Sequence, residues 1–205
     1  MQEVCEKGVE NMSILNSSKI VAVGASTGGI EALEQVFSRL PNSIPPILLV
    51  VHLPIGFTRL YTARLTSTYR YNFKEAKKGD EVLGGQVLIA PAGKHMVVKS
   101  ELGKLIVDCY DGEKVQYVIP SADVLFESVA KVAGSKAVGV ILTGMGADGA
   151  RGLKKMREHG ASTIGQDRET CVVYGMPKVA NEMGAVEHVV PIYQMAEKII
   201  NLARL

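Results

Sequence analysis

Cysteine is scarce in this sequence and forms no recognisable pattern. Its three cysteines, Cys5, Cys109 and Cys171, are odd in number and include no Cys-x-x-Cys pair. This spacing argues against a disulfide scaffold and against a zinc ribbon. The cysteine content therefore indicates a protein of the reducing cytoplasm.

Long apolar runs are also lacking. The longest apolar stretch, residues 44–57, is interrupted by Pro45, Pro46, His52 and Pro54 and is shorter than the roughly 20 residues that a membrane helix needs. Residues 1–19 carry five charged side chains and no continuous apolar core, so they cannot act as a secretory signal. These absences predict a soluble cytoplasmic protein.

Neither sign of charge is in large excess, since 23 basic residues face 21 acidic ones. No stripe of Lys and Arg is interleaved with aromatic residues, which makes nucleic acid a poor partner. The length of 205 residues and the 47% apolar content are typical of one globular domain. We expect that domain to occupy residues 19–205, with residues 1–18 as a linker or polar lead-in.

Apolar strands alternate with amphipathic helices along most of the chain. This order predicts an α/β fold with a doubly wound, mostly parallel sheet, whose ligands bind at the carboxyl ends of the strands. Residues 72–111 instead hold short β segments between glycines, which we interpret as antiparallel, with an inserted hairpin at 95–99 and 104–107. The other predicted strands are 20–24, 46–52, 137–143, 162–166 and 187–190, and the helices are 29–40, 58–69, 122–133, 150–159, 177–183 and 192–202.

Ser26 lies at a strand-to-helix corner between Gly24 and Gly28. The Gly-x-Ser-x-Gly pattern allows the sharp turn that exposes a serine Oγ above a sheet edge as a nucleophile. An alternative is that Ser26 only caps the helix or binds a phosphate. Partners for the serine are needed to decide between these interpretations.

His52 is the histidine best placed to act as a base for Ser26. It directly ends the buried strand 46–52, whereas His159 lies in the last turn of a helix, His95 opens a strand and His188 lies within one. Catalytic groups of a parallel sheet follow the carboxyl ends of its strands, and among the histidines only His52 meets that condition.

Asp148 is the acid best placed to orient that histidine. It lies in the glycine-rich loop 144–149, which follows the predicted strand 137–143, while Asp80, Asp111, Asp123 and Asp167 occupy polar, turn-like or helix-start positions. A buried carboxylate holds the imidazole of a serine hydrolase in the useful tautomer. The sequence thus predicts a triad of Ser26, His52 and Asp148.

The same loop also spells Gly144-x-Gly146-x-x-Gly149, the fingerprint of an NAD(P)-binding Rossmann-type oxidoreductase, with Asp167 about 20 residues further on. A carboxylate inside a loop that should cradle a pyrophosphate would repel it, which disfavours this alternative. A P-loop is absent because no Gly-Lys-Ser/Thr is present. A non-catalytic receptor-binding module, in which Ser26 is a cap, is a second alternative.

Several motifs, taken in order, resemble the CheB family of chemotaxis protein-glutamate methylesterases across residues 20–203. They are Gly24-Ala25-Ser26-Thr27-Gly28-Gly29, His52-Leu53-Pro54-Ile55-Gly56-Phe57-Thr58 and Gly144-Met145-Gly146-Ala147-Asp148-Gly149, with shorter matches at 90–91, 95–96, 120–126 and 175–177. Two positions depart from the family pattern: Ile55 replaces an expected proline, and Val51 replaces a glutamine. These departures concern the rim of the cleft and not the triad.

The resemblance implies hydrolysis of glutamate methyl esters on the cytoplasmic helices of chemoreceptors, with release of methanol, and deamidation of receptor glutamines. It implies Ser26, His52 and Asp148 as the triad and places Thr27 and Met145 at the site. Backbone N–H groups near these two residues would stabilise the oxyanion, and the mechanism calls for no metal or organic cofactor. It also implies an N-terminal receiver domain as a partner in a full-length protein, which makes this chain the catalytic domain without its receiver.

Overall fold

The structure, a computed structural model, describes residues 19–204. The predicted linker at residues 1–18 lies outside the described residues. Six α-helices are present between residues 19 and 204: α1 Gly29–Phe37, α2 Phe57–Thr68, α3 Ala122–Ala133, α4 Ala150–Glu158, α5 Met176–Glu182 and α6 Ile192–Ala203. The same residues form nine strands: β1 Ile20–Ala25, β2 Ile47–Val51, β3 Asn72–Glu75, β4 Gln86–Ile89, β5 His95–Glu101, β6 Lys104–Tyr110, β7 Ala137–Ile141, β8 Ser162–Gln166 and β9 His188–Val190.

Seven strands form one parallel sheet in the order β3-β4-β2-β1-β7-β8-β9. Strands β1, β2 and β7 are buried at every position, because helices cover both faces of a parallel sheet. Strand β1 lies between β2 and β7, with Ala25 paired to Val51 and Gly24 to Ile141. The predicted doubly wound sheet is confirmed.

Side chains alternate between the two faces along each strand and build two cores. Val21 and Val23 face helices α1, α2 and α6, whereas Ile20 and Ala22 face α3, α4, α5 and the β5–β6 hairpin. The sheet is thus the middle of three layers. Loops that lead to helices on both faces follow the strands at its carboxyl edge.

Three helices begin after a glycine in the left-handed region. Gly28, Gly56 and Gly149 have φ values of 76°, 87° and 89° and precede α1, α2 and α4. The predicted helix 29–40 ends earlier, at Phe37. Leu40 precedes Pro41, and a proline disfavours helical backbone at the residue before it.

The interpretation of residues 72–111 as wholly antiparallel is wrong. Strands β3 and β4 are parallel members of the main sheet, while the β5–β6 hairpin is antiparallel as predicted. The chain between β3 and β4 contacts β6, where the Gly79 N–H donates to the Val107 carbonyl and the Val82 N–H to the Leu105 carbonyl. This crossover contains no helix, and its glycines have the spacing of a hairpin turn. The sequence pattern therefore indicated an antiparallel pair where the strands are parallel.

Among residues 19–204, no helix combines the length and apolar content required to cross a membrane.

Candidate active site

Three loops meet where the chain changes direction within the sheet. Strand β1 continues through α1 to β2 on one side and has β7 as its neighbour on the other. Such a switch point leaves a crevice at the carboxyl edge of a parallel sheet. Ser26 follows β1, His52 follows β2 and the loop 144–149 follows β7.

The backbone of Ser26 is fixed on both sides of its Cα. Its N–H donates to the Thr143 carbonyl at 3.0 Å, and its carbonyl accepts from the Gly29 N–H at 2.7 Å. The residue that caps α1 is Gly28, and no side chain caps this helix. The alternative in which Ser26 is a helix cap is therefore wrong, and its partly exposed hydroxyl is available at the crevice.

His52 lies beside Ser26 because β1 and β2 are in register. The His52 N–H donates to the Ala25 carbonyl at 3.1 Å, one residue before the serine. The imidazole is 13% exposed, and its Nε2 lies 2.9 Å from Asp148 Oδ2. Within the described residues, no hydrogen bond joins Ser26 Oγ to His52. Catalytic hydrogen bonds often tighten only when substrate is bound.

Asp148 is buried, with a side-chain exposure of 2%, and every polar neighbour donates to it. Ser121 Oγ donates to Oδ1 at 2.5 Å, the Ala122 N–H to Oδ2 at 2.6 Å and the Asp123 N–H to Oδ1 at 3.2 Å. Burial by itself raises the pKa of this carboxyl. The hydrogen bonds from His52, Ser121 and the Ala122 N–H outweigh burial, so the pKa of Asp148 lies below its usual value.

The charge state of Asp148 fixes the tautomer of His52. An ionised carboxylate can only accept hydrogen bonds, so the proton in the 2.9 Å contact belongs to His52 Nε2. In the neutral imidazole, the other ring nitrogen, Nδ1, is then the unprotonated one. A proton acceptor is thus available at His52 on the ring nitrogen that Asp148 does not use.

Glycines bring the N-terminus of α3 close enough to reach Asp148. A Cβ at Gly24 would lie 2.8 Å from Ala122 Cβ, and one at Gly152 would lie 2.6 Å from the Asp123 carbonyl oxygen. Real Cβ atoms do not approach other atoms this closely. The missing side chains let α3 pack against β1 and α4, with its first N–H groups directed at the carboxylate.

Two backbone N–H groups at the crevice are unused. The Ser26 carbonyl and the Thr27 N–H belong to one trans peptide and point in opposite directions. Because the Ser26 carbonyl accepts from the Gly29 N–H at the start of α1, the Thr27 N–H faces away from α1. Across residues 19–204, neither the Thr27 N–H nor the Met145 N–H has an intramolecular hydrogen-bond partner. The side chains of both residues are exposed, that of Met145 by 75%. These donors lie in the loops after β1 and β7.

Comparison with known proteins identifies the family of this chain. The family model described as CheB methylesterase matches residues 21–199. The chain belongs to the CheB methylesterase family. This confirms the resemblance that the motifs carry.

CheB relatives from several bacteria share the domain. A protein-glutamate methylesterase/protein-glutamine glutaminase 2 of Syntrophomonas wolfei is 51% identical over 183 residues, covering 89% of this chain and 54% of that protein. One of the same name from Dechloromonas aromatica is 46% identical over 188 residues, covering 92% of this chain and 52% of that protein. This chain spans about half the length of the curated relatives it matches.

A solved structure supports the CheB fold. The crystal structure of the Thermotoga maritima CheB methylesterase catalytic domain has a TM-score of 0.87 and 42% sequence identity. The superposition covers 91% of this chain and 99% of that one. The α/β fold with its parallel sheet and separate hairpin is therefore the CheB catalytic fold.

The dinucleotide-binding alternative is wrong for this CheB domain. The N-terminus of α4, which would face a pyrophosphate, is already occupied by the Asp123 carboxylate. Asp123 Oδ1 accepts from the Gly152 N–H at 2.7 Å, and Oδ2 lies 3.3 Å from Arg151 Nε.

Among residues 19–204, no group of three or more His, Cys, Asp or Glu side chains could hold a metal ion.

Replacing Asp123 by asparagine tests the cost of that buried charge. Burial raises the pKa of Asp123, with the Gly152 hydrogen bond acting in the opposite direction. A carboxyl whose folded pKa is raised loses stabilising free energy as the pH rises through that pKa. The unchanged protein should therefore lose stability from this group between about pH 4 and about pH 7, and Asp123→Asn should not. The free energy of unfolding of Asp123→Asn minus that of the unchanged protein should rise over this range. Urea unfolding at both pH values measures it, and a falling difference would contradict the prediction.

Sequence reasoning missed three polar residues that support the site. Ser121 is the N-cap of α3, where its side chain accepts from the Val124 N–H, and its hydroxyl also donates to Asp148. Thr143 Oγ1 donates to the Thr27 carbonyl at 3.0 Å, and Gln166 Oε1 accepts from the Thr143 N–H at 2.8 Å. Thr143 and Gln166 stand at the ends of predicted strands, and that position was the available signal.

The two departures from the CheB pattern differ in importance. Val51 is 2% exposed and packs in the core, whereas Ile55 is 84% exposed on the loop after His52. A change in docking at the rim can therefore come from Ile55. The structure gives Val51 no access to the surface.

Proposed function

We propose that this chain is a serine hydrolase that demethylates glutamate methyl esters of bacterial chemoreceptors and releases methanol. The observation that carries the proposal is the His52–Asp148 hydrogen bond of 2.9 Å at the switch point where Ser26 follows the adjacent strand. Membership of the CheB methylesterase family supports the same chemistry. The names of the Syntrophomonas and Dechloromonas relatives support the substrate class.

In the proposed reaction, Ser26 Oγ attacks the ester carbonyl while His52 Nδ1 takes its proton. The imidazolium that forms is stabilised by the Asp148 carboxylate on its Nε2 side. The tetrahedral oxyanion accepts hydrogen bonds from the free N–H groups of Thr27 and Met145. His52 Nδ1 then returns the proton to the leaving methanol, and an acyl-enzyme is left on Ser26.

Water completes the cycle by the same steps. His52 Nδ1 takes a proton from water, which attacks the acyl carbonyl, and the Ser26 oxygen leaves with that proton. A glutamine side chain can enter the first step in place of the ester. Ammonia then leaves instead of methanol, and the product is again glutamate. We therefore propose receptor glutamine deamidation as a second reaction of this site, as the relatives' names indicate.

The proposed partners follow from this substrate class. We propose the cytoplasmic helices of methyl-accepting chemoreceptors as the substrate surface and, in a full-length protein, an N-terminal receiver domain as a regulatory partner. Exposed apolar side chains lie on the loops around Ser26 and offer contact area to a helix. They are Ile55 at 84%, Met145 at 75% and Val172 at 68% exposure.

Methanol release from methylated receptor membranes tests the proposal. Receptors carrying radiolabelled methyl groups are incubated with the chain, and volatile label is collected over time. We expect label to be released and a serine-directed acylating probe to modify Ser26. Receptor binding with neither methanol release nor probe labelling would show a non-catalytic binding module and reject the enzyme.

A further inference from the structure

A second histidine, His95, is buried near the proposed triad but does not belong to it. It is the first residue of β5 and is 2% exposed. Its Nε2 lies 2.8 Å from the Glu113 carbonyl oxygen, and its Nδ1 lies 3.3 Å from the Ser121 backbone nitrogen. A carbonyl only accepts and a backbone N–H only donates. These partners therefore hold His95 as the neutral tautomer with its proton on Nε2.

Ser121 connects this histidine to the carboxylate of the site. Its N–H donates to His95 Nδ1, and its hydroxyl donates to Asp148 Oδ1 at 2.5 Å. Ser121 is fully buried, so water does not replace either partner. The hydrogen bonds form one chain from the Glu113 carbonyl through His95, Ser121 and Asp148 to His52 Nε2.

We propose that Ser121 and His95 are positioning residues that aim the Asp148 carboxylate at His52. The hydroxyl of Ser121 holds Oδ1, which turns Oδ2 towards His52 Nε2 and limits rotation of the carboxylate. His95 holds the peptide of Ser121 in place, because without it a buried N–H would lose its partner. The proposal rests on the proposed function in one respect: its kcat tests require that turnover depends on an oriented His52.

This assignment gives the β5–β6 hairpin a place in the site. The hairpin carries His95 and is tied to α3 at a second point, where Ser128 Oγ accepts from the Val98 N–H at 3.0 Å. Ser128 lies on the same helix as the Ser121 cap but has no contact with Asp148 among the described hydrogen bonds. It therefore offers a matched serine whose loss removes one hydrogen bond between the hairpin and α3 and leaves the bonds of His95 and Asp148 in place.

Hydroxyl removal and rescue form the first test. We expect Ser121→Ala to lower kcat on the order of 10- to 100-fold with KM nearly unchanged, because the catalytic groups lose their alignment. Ser121→Thr, which keeps the hydroxyl and the cap, should recover most of this loss. Ser128→Ala should lower thermal stability and keep the kcat of the unchanged protein. A purely structural role for Ser121 predicts that Ser121→Ala behaves like Ser128→Ala, and that result would overturn the proposal.

The second test replaces His95 by asparagine or by glutamine. It can be carried out even if Ser121→Ala does not fold. Asparagine places an acceptor near the Nδ1 position that faces Ser121, whereas glutamine reaches the Nε2 position that faces Glu113. We expect His95→Asn to keep a higher kcat than His95→Gln. The opposite order, or equal kcat values, would reject the positioning role. His159→Gln, at an exposed histidine with a 2.8 Å contact to the Lys155 carbonyl, should keep full activity.

Proton NMR separates this proposal from the proposed function. The His52 Nε2–H bonded to an ionised carboxylate should give a far-downfield resonance, assigned by its loss in His52→Gln. We expect this resonance to shift or broaden in Ser121→Ala and His95→Gln and to stay in place in Ser128→Ala. A chain that shows this pattern without releasing methanol would keep the positioning role and lose the hydrolase. An unchanged resonance in all variants would overturn the positioning role.

Discussion

Replacing Ser26 by alanine should abolish methanol release while leaving the fold intact. The change removes the attacking oxygen, so turnover should fall on the order of 10⁴-fold or more. The backbone bonds of residue 26 to Thr143 and Gly29 do not use the hydroxyl and should persist. Initial rates of methanol release from methylated receptor membranes measure the effect.

Two controls make the Ser26 result specific. Far-UV circular dichroism and the melting temperature of Ser26→Ala should match the unchanged protein. Ser38→Ala removes an exposed hydroxyl at the end of α1 that bonds the Gln35 carbonyl, and it should keep full activity. Methanol release by Ser26→Ala at an undiminished rate would refute the nucleophile.

Replacing Asp148 by asparagine should have the next largest effect. If the new NH₂ replaced Oδ2, it would face the Ala122 N–H, which is fixed in the helix. If it replaces Oδ1, the Ser121 hydroxyl can turn and accept, the 3.2 Å bond from the Asp123 N–H is lost, and the carbonyl oxygen still faces His52. The second arrangement keeps the tautomer of His52 and removes the negative charge together with the weaker of the two backbone bonds. We expect kcat to fall about 10³-fold, the size expected for losing one electrostatic group.

Stability at two pH values accompanies the Asp148→Asn measurement. Asp148 has a lowered folded pKa, so it stabilises the fold above its unfolded pKa and loses that effect as the pH falls through the folded pKa. Asp148→Asn should therefore be less stable than the unchanged protein near neutral pH, with a difference that shrinks on acidification. This trend is opposite to the one expected for Asp123→Asn. For the activity measurement, a kcat of Asp148→Asn within 10-fold of the unchanged protein would show that turnover does not need the negative charge of Asp148.

The parts of the site that the sequence predicted are those tied to strand ends. Ser26, His52 and the loop with Asp148 each follow a predicted strand, and the apolar run before His52 indicated burial on both faces, which the structure shows for all three strands. A parallel sheet brings such ends to one edge, so a local pattern was enough to place the three residues near each other. The family motifs agreed with that placement.

The parts that the sequence did not predict depend on long-range packing. His95 opens a hairpin strand and gave no local sign that its ring would meet the N-terminus of α3. The parallel pairing of β3 with β4 was likewise hidden, because a crossover without a helix has the same glycine spacing as a hairpin. Local patterns define elements, whereas these two features depend on which elements pack together.

The central position of β1 has a consequence for how the protein is made. Its partner β7 and the loop with Asp148 belong to the second half of the chain, so β1 has one unpaired edge until they are synthesised. An N-terminal fragment that ends before residue 137 would hold Ser26 and His52 next to an open sheet edge. Such an edge invites pairing with other chains. Pairing of β7 thus covers the open edge of β1 and brings Asp148 to His52 at the same step.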